Sequence, residues 1–254
     1  MELGGLQSST PDGLSVRPTL ACRDHRGWGG MRLEGNCRST DCQLAYCTSG
    51  FTAWRLIQGV KFHFQVTAGH CFRTNTPVSH ALKYPVGTVT TNVFSNGTSA
   101  DAEDISQAAK TNSTRIVTRS SPAHYADVNN AANPVVGSTY CKSGITTQET
   151  CGWSVVTTSA TIELCDPMPP NCNTMYNQAI ATRASYGADH GDSGGPVYRY
   201  LSGLNNTEVD GYGLVSGVNS DQDGNVIGTQ MTFTKILTAL TALNLGGLAT
   251  LSSP

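Results

Sequence analysis

The sequence predicts an all-β domain that closes with a single helix, and three observations carry the prediction. Apolar and polar residues alternate with a period of two in short runs, among them Val60 to Val66, Leu82 to Phe94 and Gly213 to Val218, as in half-buried strands. Only Thr232 to Leu243 carries a convincing helical period, with Ile236, Leu237, Leu240 and Leu243 on one face. Charged residues are 13% of the 254, about half the usual share, and nine cysteines sit in a chain rich in Gly, Ser, Thr and Asn. Cysteine usage of that kind points to an oxidising, extracellular compartment.

In chain order, residues 1–27 are polar, carry Pro11 and Pro18, and read as an arm or leader remnant. Met1 to Gly13 has neither a basic start nor an apolar core, so no signal peptide is expected within it. A first strand is expected in Gly29 to Leu33, followed by Cys37, Cys42 and Cys47 in close succession. The strand Val60 to Val66 leads into Thr67-Ala68-Gly69-His70-Cys71. After the strand 82–94, Asn96-Gly97 marks a turn, and Ala100-Asp101-Ala102-Glu103-Asp104-Ile105 offers two aspartates three apart. Residues 111–136 read as a connection between two halves, the second beginning near Pro134. Val155 to Leu164 is Thr/Val/Ile-rich and reads as a strand. The Pro-rich stretch from Cys165 to Cys172 reads as a rigid loop closed by its own cysteines.

The cysteine spacings contain no C-x-x-C, so no structural metal is expected. Asn219-x-Asp221-x-Asp223-Gly224 has the opening spacing of a calcium loop. Its strand flanks and Gln230 at the twelfth position favour a hairpin turn instead. A net charge of −2 gives no reason to expect a nucleic-acid partner, and no apolar run is long enough to cross a bilayer. Three N-x-S/T sequons, at Asn96, Asn112 and Asn205, mark surface loops.

Chemistry concentrates in Gly191-Asp192-Ser193-Gly194-Gly195-Pro196. Glycines on both sides of Ser193 allow dihedrals that a Cβ would forbid, and Pro196 keeps the serine from opening a long helix. The result is a tight turn that holds a hydroxyl, with the N–H groups of Gly191 and Ser193 able to point at a substrate oxygen. A serine hydroxyl needs a base, and its identity follows from chain order. In the nucleophile elbow of α/β-hydrolases the histidine follows the serine. None of the six histidines here lies beyond Ser193, and His70 is the one set in a motif of its own.

T-A-G-H-C at residues 67–71 and G-D-S-G-G-P about 120 residues later together resemble the chymotrypsin-like serine peptidases. Cys47-Thr48-Ser49-Gly50-Phe51 and Cys141 to Thr147 resemble the secreted bacterial branch, that of the streptogrisins and α-lytic protease. The resemblance covers roughly residues 28–245. It implies two six-stranded antiparallel β-barrels and a C-terminal helix, with the first barrel over 28–128 and the second over 129–254. It further implies a catalytic Ser193, His70 and aspartate, and an oxyanion hole from the N–H groups of Gly191 and Ser193. Asp101 fits the bacterial pattern for the acid, Asp104 fits the animal one, and Asp101 is favoured; Asp127 is a distant third.

Disulfides Cys47–Cys71 and Cys141–Cys151 follow from the same resemblance, the first contributing roughly 3 kcal/mol by loop closure. So does a pair of Lys142 with Asp192. Gly187 at the base, Ser216, Gly217 and Val218 on one wall, and Met231 beside them would line the substrate pocket. A pocket filled by Val218 and Met231 favours small or medium aliphatic residues before the scissile bond. The family cysteine just before the catalytic turn is absent, since 187–190 read Gly-Ala-Asp-His. The expectation is therefore a secreted, monomeric, cofactor-free endopeptidase acting on protein or peptide substrates. A silent homologue used for binding and an esterase with the same groups are the alternatives.

Overall fold

The computed structural model describes residues 29–35, 45–80, 84–107, 113–120, 123–165, 172–201, 207–221 and 224–252. The arm expected over 1–27, together with Cys22, Cys37, Cys42 and the centre of the Cys165–Cys172 loop, lies outside them. Sixteen strands and one helix lie within them.

The first half of the chain supplies β1 (Arg32–Gly35), β2 (Ala45–Thr48), β3 (Thr52–Ile57), β4 (Val60–Thr67), β5 (Pro77–His80), β6 (Tyr84–Asn92) and β7 (Glu103–Gln107). The second supplies β8 (Arg115–Ser120), β9 (Ala123–Ala131), β10 (Thr139–Lys142), β11 (Thr150–Cys165), β12 (Cys172–Thr182), β13 (Pro196–Tyr200), β14 (Glu208–Ser220) and β15 (Val226–Lys235). The helix α1 (Ile236–Ala242) and the short β16 (Gly247–Leu248) follow. Two eight-stranded sheets result, ordered β16-β3-β4-β7-β6-β5-β1-β2 and β13-β10-β11-β12-β15-β14-β9-β8. Because β13 also pairs with β14, the strands β10, β11, β12, β15, β14 and β13 each have a neighbour on both sides. The first sheet instead runs from one end to the other, with β2 and β16 at its edges.

Local sequence explains the elements that carry the site. Gln58 and Gly59 turn β3 into β4 with φ of 51° and 80°, two successive positive values that suit a two-residue hairpin. Along β4 the outer half alternates while Phe64 to Thr67 is buried throughout, so the strand drives inward towards His70. In the second sheet β11 and β12 form a long hairpin whose tip is closed by Cys165–Cys172.

Two expectations are corrected. Residues 111–136 are not merely a connection: Ile116, Val117, Ala126 and Val128 are buried, and β8–β9 is a hairpin joined parallel to β14. The change of sheet thus falls between β7 and β8, ahead of residue 128. The helical period beginning at Thr232 overran a strand, because β15 continues to Lys235. Thr232 and Phe233 pair with both β12 and β14, and that two-sided ladder overrides the periodicity.

The sheets meet over one apolar cluster containing Ala53 and Val66 from the first, Ile116 and Leu214 from the second, and Ile236 and Leu240 from α1. After α1 the chain returns, and β16 pairs with β3. Arg55 on β3 donates to the carbonyls of Leu243 (2.5 Å) and Asn244 (3.0 Å), satisfying acceptors that the helix end leaves open. Among the described residues no helix is long and apolar enough to cross a membrane.

Candidate active site

His70 sits in the turn after β4, and several bonds hold that turn. Asn92 Nδ2 donates to the carbonyls of Gly69 (2.7 Å) and Phe72 (2.9 Å), and Cys71 is bonded to Cys47. Both oxygens of Asp101 face His70: Oδ1 accepts its backbone N–H at 2.9 Å and Oδ2 lies 2.8 Å from Nδ1. An ionised carboxylate only accepts, so Nδ1 carries the ring proton and Nε2 is the basic nitrogen of the neutral ring. Asp101 is fully buried, while the His70 side chain is 28% exposed.

Asp101 is held in turn by the second sheet. Its N–H donates to Thr234 Oγ1 (3.0 Å), and that hydroxyl donates to Gln178 Oε1 (2.9 Å). Ser216, expected on the pocket wall, is buried with its hydroxyl 3.2 Å from the same Thr234. Asp104 points elsewhere. It accepts from Arg55 Nη2 (2.8 Å), Thr91 N–H (2.8 Å) and the Thr90 hydroxyl. Asp127 pairs with Arg115 at 3.1 Å.

Ser193 lies in a turn where Gly191 and Gly194 have φ of 90° and 81°, values that disfavour any side chain. The N–H groups of Asp192, Gly194 and Gly195 are given to carbonyls of Asp189, Val215 and Asp192. Among the described residues those of Gly191 and Ser193 are given to none. The turn is pressed against the histidine loop: a Cβ on Gly194 would lie 1.9 Å from Thr67 Oγ1 and 2.8 Å from the N of Ala68. Thr48 stitches the two: its N–H donates to the Ser193 carbonyl (2.8 Å), its hydroxyl to that of Gly191 (2.7 Å), and its own carbonyl accepts the Thr67 hydroxyl (2.8 Å).

Beneath Ser193, Asp192 and Lys142 are both fully buried with Nζ 2.5 Å from Oδ2. Oδ1 accepts the N–H groups of Thr146 (3.0 Å) and Thr147 (3.2 Å); Oδ2 accepts the Thr147 hydroxyl (2.6 Å) and the Asp189 N–H (3.1 Å). The loop that supplies the Thr146 and Thr147 donors is closed by Cys141–Cys151. Gly144 must be glycine, because a Cβ there would lie 2.1 Å from Asp192 Oδ1. Burial pushes the Lys142 pKa below its ordinary value, and the Asp192 carboxylate opposes that shift.

The segment 187–190, expected to form the pocket wall and lacking the family cysteine, is held by hydrogen bonds. Gly187 gives its N–H to Gly228 O (2.9 Å) and takes the hydroxyls of Thr147 (2.9 Å) and Thr150 (2.8 Å). Asp189 takes the Tyr186 hydroxyl, which raises the Tyr186 pKa to about 12. Gly217 has Leu164 of the long hairpin packed over it. Val218 is half-buried and pairs with Met231, which is fully buried in the core with Trp153 and Ala188. Thr48 and Thr147 lie within the stretches that carry the family resemblance but were given no role there, and Thr234 and Arg183, which lies against Gly187, are marked by no local motif. Two clusters of potential metal donors, Cys47/His70/Cys71 and Cys141/Glu149/Cys151, have their sulfurs tied in disulfides and offer no thiolate.

Residues 60–240, more than two thirds of the chain, match the family described as Trypsin, and the chain belongs to that family of peptidases. Among solved structures it is similar to protease A of Thermobifida fusca, with a TM-score of 0.64 and 23% identity over 88% of this chain and 98% of that one. Nocardiopsis protease gives 0.63 and 23% over 87% and 98%. The chymotrypsin of Cellulomonas bogoriensis gives 0.61 and 23% over 88% and 99%. These likenesses establish a trypsin-like double-barrel fold of the bacterial kind. No curated protein matches the chain.

Proposed function

We propose that the protein is a secreted serine endopeptidase that acts as a monomer on protein or peptide substrates without a cofactor. Ser193 Oγ attacks the peptide carbonyl carbon while His70 Nε2 takes its proton. The C–N bond then breaks as His70 returns that proton to the leaving amine, and water repeats the cycle on the acyl-enzyme. Asp101 holds the Nδ1–H tautomer and stabilises the imidazolium. The N–H groups of Gly191 and Ser193 receive the oxyanion, where losing one donor typically costs a hundredfold or more in turnover. The Lys142–Asp192 pair preforms that turn. Three disulfides support the extracellular setting.

The observation that carries the reading is the double contact of Asp101 with His70, made beside a Ser193 turn pressed against the same loop. A fluorophosphonate probe tests it. The intact protein is expected to label stoichiometrically and Ser193→Ala not at all; an unlabelled intact protein would refute the enzyme. The aliphatic preference read from the sequence rests on Val218 and Met231. With Met231 drawn into the core, only Val218 still supports it.

A further inference from the structure

We propose that Arg183 determines specificity at this site and directs hydrolysis to bonds that follow acidic side chains, glutamate and aspartate. The proposal rests on the serine-endopeptidase reading and names its substrate class.

The register of β12 places this arginine. Ala179 and Ala181, paired with Phe233 and Met231 on β15, are fully buried in the core. Arg183 is two residues further on and continues the ladder, its N–H donating to Thr229 O at 2.9 Å, so its side chain leaves on the same face. That face ends at Gly187. A Cβ on Gly187 would lie 2.3 Å from Arg183 Nη1, 3.3 Å from its Cδ and 3.1 Å from Trp153. The guanidinium therefore occupies the volume above the glycine expected at the base of the pocket.

Its charge is not matched from within. Arg32, Arg55 and Arg115 each hold a carboxylate at 2.6–3.1 Å. Among the described residues the Arg183 side chain makes one hydrogen bond, from Nη1 to the carbonyl of Tyr186 at 3.0 Å, and has no carboxylate within ion-pair reach. Asp189 nearby is engaged by the Tyr186 hydroxyl and the His190 N–H. A half-buried guanidinium with unspent donors recognises a carboxylate by charge and by its planar fork. Half-buried Val218 on the wall disfavours a bulky aromatic ring and leaves room for a slender, unbranched acid.

Peptide p-nitroanilides that differ only before the scissile bond (Glu, Gln, Asp, Asn, Ala, Phe, Arg) test this, with active sites counted by fluorophosphonate. We expect kcat/KM for Glu to exceed that for the isosteric Gln by at least about tenfold, and the ratio to fall towards one in Arg183→Ala. The wild-type ratio should also collapse on acidification, as the substrate carboxyl protonates near its ordinary pKa of about 4.3, a readout that needs no variant to fold. A wild-type ratio of one or less, fastest turnover on Ala, Phe or Arg, or an unchanged ratio in Arg183→Ala overturns the proposal. Failure to label and to cleave any peptide overturns the endopeptidase reading and takes this proposal with it.

Discussion

Asp104 and Asp192 are both fully buried, and each lies against one cation, yet the two pairs are built differently. Asp104 meets Arg55, which is 22% exposed and also grips the end of α1, so this pair tethers the C-terminal segment to the first sheet. Asp192 meets Lys142, which is fully buried, and takes three backbone N–H groups and a hydroxyl besides. Solvent reaches one member of the first pair and neither member of the second. A buried pair is weak evidence of net stabilisation, but removing one member leaves an unpaired charge, at a cost of about 3–5 kcal/mol. The same chemistry thus serves as a tether at the rim and as a rigid support beside Ser193.

Lys142→Ala should show the larger effect. It should lower unfolding free energy by about 3–5 kcal/mol in denaturant melts and slow fluorophosphonate labelling sharply. Arg55→Ala should cost less in the same melts and leave the labelling rate within about twofold, because water can reach Asp104 once the side chain is gone. Equal losses of labelling in the two variants would erase the distinction.

The smaller effect is one of pH. Burial lowers the Lys142 pKa, so its proton leaves at lower pH than from a free lysine, and Asp192 then loses its cation. Labelling should fall as pH rises, with a midpoint below the ordinary lysine value of 10.5. Lys142→Arg, whose guanidinium keeps its charge, should move that limb to higher pH. A limb that stays put would separate Lys142 from the Ser193 turn.

The candidate site was most legible where it is local. The serine turn and the histidine loop are continuous motifs, since both need a set backbone path as much as a side chain. The choice between Asp101 and Asp104 was less so. Spacing alone admits both, and what engages Asp104 is set by Thr90 on the neighbouring strand β6 and by Arg55, which reaches it past β4. Arg183 was invisible for a related reason. Only the pairing of β12 with β15 reveals that it shares a face with Ala179 and Ala181. The β8–β9 hairpin hid in an Asn/Ser/Thr-rich stretch, although Ile116-Val117 and Val128 supply its buried side chains.

The central claim is that Asp101, and not Asp104, orients His70. It is tested most directly by measuring kcat for Asp101→Asn and Asp104→Asn at a temperature where circular dichroism shows both folded. The structure leads us to expect a loss on the order of 10⁴-fold for Asp101→Asn, because an amide there no longer holds the Nδ1–H tautomer. Asp104→Asn should keep kcat within about tenfold while melting earlier, its carboxylate being spent on Arg55, Thr90 and Thr91. A larger loss of kcat in Asp104→Asn, or near-normal turnover in Asp101→Asn, would contradict the account.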